Sequence, residues 1–339
     1  VIDPGSVFEA AELAFEAASA GHGLQACYRV ADKIVAMKFA SPVLAAKLLP
    51  AFAHLEPAAE ERPDLVICSW DGALADGPMT ALMPASGCQG LDYVDGPVRL
   101  AWERADQSLQ AYDTARGLGL FWITDVDGLP AWEQGAPFRR IFHWWSAQQG
   151  LQLLHGAAIG NKAGGLLLVG QSGSGKSTTA LACVGTRFGY VADDYCLLEP
   201  GTPSRVHSLY GSGKADAAAI ARLPHLCEAF RGSPIDQQGK SIIFMGEHAP
   251  GALLRSVPIR ALVVPTIAPG AACHVEVLPR GEALRALAPS TLFQMPGDRA
   301  ASLSRMSALI RDVPCFRLVI GNDPAAAQPC LDAILARVA

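Results

Sequence analysis

Between Gly170 and Thr178 the chain reads GQSGSGKST, which fits the pattern G-x-x-x-x-G-K-[ST] at Gly170, Gly175, Lys176 and Ser177. An apolar stretch, LLLVG, runs into this segment, and a helical pattern, KSTTALACVG, leaves it. In that context the glycines let the backbone curl with its N–H groups turned inward, a nest for phosphate oxygens at the start of a helix. The expected cradle is Gly170, Gln171, Ser172, Gly173, Ser174, Gly175, Lys176, Ser177 and Thr178. Lys176 can reach β- and γ-phosphates, and the Ser177 hydroxyl can bind Mg2+. A nucleotide or polyphosphate ligand follows, held together with Mg2+.

A metal–phosphate site needs a carboxylate, and the segment VADDYCLL supplies Asp193 and Asp194 at the edge of an apolar strand. Side chains alternate along a strand, so the two need not share one job. One can orient the metal while the other takes a proton from an acceptor hydroxyl. Upstream, LLHGAA places His155 at the start of a strand that turns into the phosphate-binding strand. A lone histidine is usually structural. Beside a phosphate it can stabilise transferred charge, and both readings stay open at this point.

The elements that must hold these residues form an α/β pattern. From Leu153 onward come strand LLHGAAIG, turn NKAGG, strand LLLVG, helix KSTTALACVG and strand YVADDYCLL. Strand-like SIIFMG, IRALVVPTI and HVEVLP follow, then helical GEALRALAP and RAASLSRMSALIRDV, strand CFRLVIG and a last helix. Earlier, ACYRVADKIVAMKFAS and PDLVICSWDG are strand-like, and Pro42 opens a helix. DGPMTALMPASGCQGLDYVDGP reads as loop, and Asp127-Gly128 as a hairpin turn among several strands. Phe138, Ile141, Phe142 and Trp145 fall on one helical face, a packing stripe. A boundary near residue 136 results, giving a smaller α+β domain over 1–135 and the phosphate-binding domain over 136–339. The aromatic helix itself can belong to either part.

Composition narrows the partners. A net charge of −5 over 339 residues, with no basic run, argues against a nucleic-acid binder. The apolar runs are strand-length, far short of a membrane span. The acidic opening VIDPGSVFEAAELAFEA has no positively charged start, so no signal peptide is expected. It begins at Val1 rather than Met, so a preceding stretch is expected to be missing. Nine cysteines without a C-x-x-C pair read as reduced, cytoplasmic thiols rather than a disulfide framework or a zinc site. The oligomeric state stays open, a homo-oligomer included.

Taken together, LHGAA, GQSGSGKST and YVADDYCLL resemble the HPr kinase/phosphorylase family and its looser relatives. The resemblance covers residues 153–200 and fades on either side. It implies a P-loop core related to that of phosphoenolpyruvate carboxykinase. It also implies roles: Asp193 as the base that deprotonates a serine hydroxyl, Asp194 and Ser177 serving Mg2+, and His155 near the γ-phosphate. Two departures stand out. The P-loop helix begins GKSTT where bifunctional members carry a glutamate, and the family's RGLG-centred signature is missing. Both point away from phosphorylase activity and from HPr as acceptor. In its place VHSLYGSGKADAAAIARLP resembles HPr-kinase-like proteins of ribosomal-peptide pathways, lasso peptides included. On that likeness Ser212 and Lys214 are expected to face the transferred phosphate or the substrate. GSGK at Gly211–Lys214 lacks an upstream glycine at the right distance and is no second P-loop. Arg255, Arg260, Arg299 and Arg317 are further phosphate-ligand candidates that nothing in the sequence ranks.

The expectation is therefore an ATP- and Mg2+-dependent kinase acting on a serine hydroxyl of a peptide or small protein. Its N-terminal domain would recognise the substrate or support assembly. A kinase for a small alcohol such as free serine is the second reading, and a nucleotide-sensing regulator the third. A binding-only module has no use for a spare base, which counts against the sensor.

Overall fold

The computed structural model describes residues 3–21, 23–59, 62–72, 91–103, 107–295 and 297–338. They form two compact units, one made of Val1–Pro50 with Leu55–Gln149, the other of Ala51–His54 with Gly150–Ala339.

The first unit is built on one eight-stranded sheet. Its central strands are β1 (Leu24–Val30), β2 (Lys33–Phe39), β4 (Leu65–Asp71), β8 (Leu118–Ile123), β7 (Ser108–Asp113) and β6 (Val98–Glu103). The short β3 (Glu56–Pro57) and β5 (Leu91–Tyr93) complete its two edges. The helix Pro4–Ser19, capped by the Asp3 carboxylate, buries Val7, Phe8, Ala11 and Phe15 against Trp70, Leu120 and Trp122. Alternation along β8 turns Gly119 and Phe121 to the other face. There the aromatic helix Arg139–Gln148 packs so closely that a Cβ on Gly119 would lie 2.7 Å from Ile141. Phe138, just before that helix, meets the Phe121 ring edge-on at 5.2 Å.

Three expectations change here. The aromatic stripe covers the first sheet, so the helix belongs with the first unit and the division falls at Gln149 rather than near 136. Asp127-Gly128 is not a hairpin turn, because it leads from β8 into a short helix, Ala131–Gly135. The Asp125 carboxylate accepts the Asp127 N–H there, a local turn that competes with strand pairing. Most of the loop expected after Ala75 lies outside the described residues; its end carries β5.

Ala51–His54 joins the second unit through specific bonds. The Gly211 N–H donates to the Ala51 carbonyl at 2.8 Å. The Phe52 ring lies 5.5 Å from that of Tyr210, and His54 Nε2 is 2.6 Å from Ser208 Oγ.

In the second unit a long strand, β17 (Ser256–Ile267), joins two sheet branches. Its middle pairs parallel with β11 (Gly164–Leu168), and its end pairs parallel with β19 (Cys315–Ile320). β10 (Ala157–Asn161) and β12 (Gly189–Ala192) extend the β11 side, and β18 (His274–Val277) the β19 side. The start of β17 pairs antiparallel with β14 (Arg205–Ser208), which continues into β13 (Tyr195–Glu199) and β9 (Gln152–His155). A separate two-stranded sheet holds β15 (Ser212–Asp216) and β16 (Lys240–Phe244).

β11 shows how the layers form. Leu166 and Leu168 pack with the P-loop helix (Lys176–Ala182) and the last helix (Ala327–Val338), through Ala180, Leu181, Leu331 and Ile334. Leu167 and Val169 point the other way, toward the helices Arg280–Gln294 and Arg299–Asp312, through Leu287, Met306 and Leu309. A strand buried on both faces reads as an unbroken apolar run, as LLLV does. This is a mixed α/β unit with helices on both faces of its sheet.

Candidate functional site

Two chain breaks build the site. LLHGAAIG and YVADDYCLL each read as one strand, and each is two. The first breaks at Gly156, between β9 and β10, and the second at Asp193–Asp194, between β12 and β13. The breaks lie side by side: His155 pairs with Tyr195, Ala158 with Ala192, and the Gly156 N–H donates to the Asp194 carbonyl at 2.9 Å. Asp194 takes φ +62°, and the Tyr195 N–H bonds back to the Asp193 carbonyl at 2.8 Å, closing a three-residue turn. Such left-handed backbone is uncommon away from glycine and concentrates where function demands it.

The P-loop lies over these breaks. Gly170, Gly173 and Gly175 have φ of +148°, +80° and +104°, and a Cβ on Gly170 would press on Ser174 Oγ at 2.7 Å. Only glycine suits that backbone. Lys176 is 6 % exposed and donates to the carbonyls of Gly170 at 2.9 Å and Gln171 at 3.2 Å. Burial pulls its ammonium below the usual lysine value, and the nearby Asp193 and Asp194 offset this in part.

The two aspartates differ sharply. Asp193 is buried, with Oδ2 accepting the Lys214 N–H at 3.1 Å and the Ser177 side chain hydrogen-bonded to its carboxylate. Its Oδ1 has no hydrogen-bond partner among the described residues. Burial first, then the Asp194 charge, pushes its carboxyl up to about 6. Burial also acts on Asp194, but the Lys214 ammonium, 2.5 Å from Oδ2, and His155, with Nε2 3.8 Å from Oδ1, outweigh it. The result is a carboxylate held well below its usual range. Asp194 in turn raises Lys214, against the burial that would lower it. One carboxyl that can exchange a proton near neutrality thus stands beside one that stays ionised.

A cavity of about 180 Å3 opens here, lined by Ser172, Gly173, Gly175, Lys176, Ser177 and Thr178 of the P-loop and by His155, Asp194 and Lys214. That is below the roughly 300–1,000 Å3 of pockets that enclose a drug-sized ligand. It suits a phosphate chain whose nucleoside stays outside. The helix Arg280–Gln294 steadies the wall: Thr291 Oγ1 accepts the His155 N–H at 3.1 Å, and the Tyr195 hydroxyl donates to Gln294 at 2.8 Å.

Among the described residues no group of three or more His, Cys, Asp or Glu forms a metal cluster. Mg2+ does not need one, since it is usually held by one or two carboxylates, phosphates and water. The Ser177 hydroxyl and the Asp194 carboxylate, with the unpartnered Oδ1 of Asp193 behind them, fit such an oxygen-only set.

Of the expected site residues, Gly170, Gln171 and Ser174 shape the loop without lining the cavity, and Asp193 sits behind it against Ser177. Ser212 does not line it. It is buried in β15 opposite Phe244, and its carbonyl accepts the Tyr190 hydroxyl at 2.6 Å. None of Arg255, Arg260, Arg299 and Arg317 lines the cavity, and Arg317 pairs with Glu276 and Glu282. Arg222 and Lys240 line it instead, with Asp216, Ala215, Ala219 and Ile267. No motif marks Arg222 or Lys240. Only the pairing of β15 with β16 brings Lys240 opposite Asp216, 24 residues away in sequence.

No family model matches the chain, and no curated protein matches it in sequence. Among solved structures, it is similar to the HPr(Ser) kinase/phosphatase from Coxiella burnetii, at 13 % identity over 55 % of this chain and 94 % of that one. The TM-score of 0.27 is too low for that likeness to define a shared fold. Among the described residues no helix is long and apolar enough to cross a membrane.

Proposed function

We propose that the chain is an ATP- and Mg2+-dependent kinase that phosphorylates a serine hydroxyl. The observation that carries this reading is the convergence on one cavity of Lys176, Ser177, His155, Asp194 and Lys214, with Asp193 directly behind. A sensor needs the P-loop alone. The buried pair Asp193–Asp194, one raised and one lowered, is costly to maintain and useful for moving a proton.

In this reading the acceptor oxygen bonds to the γ-phosphorus while the bond from phosphorus to the β,γ-bridging oxygen breaks, and ADP leaves with that oxygen. The hydroxyl proton passes to Asp193, whose affinity near 6 suits a base at neutral pH. Lys176 holds the β- and γ-phosphate charge, and Lys214 and His155 face the transferred group. Bound Mg2+ would supply charge neutralisation across the phosphates, with Ser177 and Asp194 as its protein ligands. Positioning and charge stabilisation account for most of the rate.

The acceptor is placed on a peptide or small protein, with a ribosomal-peptide precursor of lasso type as its most specific form. That refinement rests on the Tyr210–Lys214 segment alone. Lys214 is the residue of that segment that lines the cavity. Incubation with γ-labelled ATP and a panel of serine-bearing peptides and small proteins tests the reading. Label on a serine that needs Mg2+ and is lost in Lys176→Ala supports it. Binding of ATP without transfer to any acceptor, or release of phosphate to water alone, overturns it.

A further inference from the structure

The cations of the cavity wall extend beyond the P-loop. Lys176, Lys214, Arg222 and Lys240 line it against only Asp194 and Asp216. Lys214 is matched by Asp194 at 2.5 Å. The Asp216 carboxylate accepts the Ala219 N–H at 2.7 Å and caps the short helix that follows. Arg222 donates through Nε to the Ala218 carbonyl at 3.1 Å. Among the described residues neither Arg222 nor Lys240 has an ion-pair partner. Two cations left unpaired at a cavity wall repel one another and Lys176, and an anion between them relieves that repulsion.

Strand geometry says where such an anion sits. Lys240 pairs with Asp216 and Ile242 with Lys214, so cross-strand partners put Lys214 and Lys240 on one face of the β15–β16 sheet. Two residues along a strand span roughly 7 Å, so Lys240 stands that far from Lys214, toward the outer end of the sheet. Arg222, two residues beyond the helix Ala217–Ile220 that follows β15, reaches the same end. Its exposed guanidinium presents a planar fork suited to a carboxylate. The Lys240 charge also reaches Lys176, lowering it further.

We infer that Arg222 and Lys240 form a second anion subsite that holds a carboxylate of the acceptor beside the hydroxyl to be phosphorylated. This rests on the kinase reading for the word acceptor, but not for the subsite. The carboxylate has two sources, a free amino-acid-type acceptor or the carboxyl end of a peptide, and the chemistry they share is an anion a few bonds from the reacting oxygen.

The test uses phosphorylated product mimics, titrated calorimetrically into the full chain without nucleotide. One pair is O-phosphoserine against O-phosphoethanolamine, which lacks the carboxylate. The other is acetyl-Gly-Gly-phosphoserine as the free acid against its carboxamide. The acid of at least one pair should bind at least tenfold more tightly, and which pair shows it identifies the source. Arg222→Gln with Lys240→Gln should erase the difference while the Kd for Mg·ADP changes less than twofold, and Lys240→Arg should preserve it. Equal binding of acid and neutral forms in both pairs overturns the inference. So does a tenfold loss of Mg·ADP affinity in the double variant, which would assign the two cations to the nucleotide. Failure of the unaltered chain to bind Mg·ADP sinks the kinase reading instead. In that event the acid–neutral comparison still decides the subsite, since it needs no nucleotide.

Discussion

Replacing Asp193 by Asn should make the protein more stable and less active, and the stability gain should depend on pH. Asp193 is buried beside Asp194, so its ionised form is disfavoured in the folded chain. Its carboxyl moves from 3.8 to about 6. At 1.36 kcal/mol per pKa unit this corresponds to a folding penalty of roughly 3 kcal/mol wherever the group is ionised in both states. The sign follows from proton counts. Between pH 6 and about 4 the folded state binds a proton that the unfolded state has released, so acidification removes the penalty. Asn keeps an oxygen to accept the Lys214 N–H and carries no charge. Asp193→Asn should therefore exceed the unaltered protein in urea-unfolding free energy by 1–3 kcal/mol, as an order of magnitude, at pH 7.5. The gain should shrink below pH 6 and vanish near pH 3.8. Transfer from ATP should fall by roughly 10²–10⁴, the usual contribution of a general base. A variant less stable at pH 7.5, or a gain that persists in acid, refutes the electrostatic reasoning. Retained transfer with lost Mg·ADP affinity would move Asp193 from proton transfer to the metal.

Lys176→Ala should weaken Mg·ATP binding at least tenfold in calorimetry while circular dichroism shows an intact fold, since the Lys176 ammonium donates to the loop carbonyls of Gly170 and Gln171. Lys214→Met leaves the Asp194 carboxylate buried without its cation and should cost about 3–5 kcal/mol in urea unfolding. Adding Asp194→Leu should recover most of that loss, and an uncorrected double variant would show that the pair is not what holds this corner. His54, held at about 4 by burial and then by the Arg255 charge, should act opposite to Asp193. As pH falls from 6.5 toward 4 its unfolded form takes a proton that the folded one refuses, so stability drops by up to about 3 kcal/mol. Between pH 7.5 and 4.5 the unfolding free energy of His54→Gln should fall less than that of the unaltered chain, by about that amount.

The backbone of the glycine-rich loop was legible in the residues themselves. Gly170 to Ser177 specify a loop because glycine alone tolerates its left-handed backbone, and LLLV announces a strand buried on both faces. Those are local properties, set by sterics and hydropathy within a few residues. The pairing of His155 with Asp194 was not local. LLHGAAIG and YVADDYCLL look like continuous strands because their apolar residues run on through the breaks. Only long-range pairing, Ala158 with Ala192 on one branch and Leu154 with Cys196 on the other, forces both chains to bend at one place. The same holds for the aromatic helix, whose stripe declared a buried face but not which sheet would bury it. It holds for the segment Tyr210–Lys214, of which Lys214 lines the cavity and Ser212 does not. The split between the two carboxyls was equally out of reach, because a pKa follows from which charges stand nearby. Arg222 and Lys240 show the limit most plainly: in sequence they are two ordinary surface cations, and the fold sets them at the edge of the cavity with no ion-pair partner among the described residues.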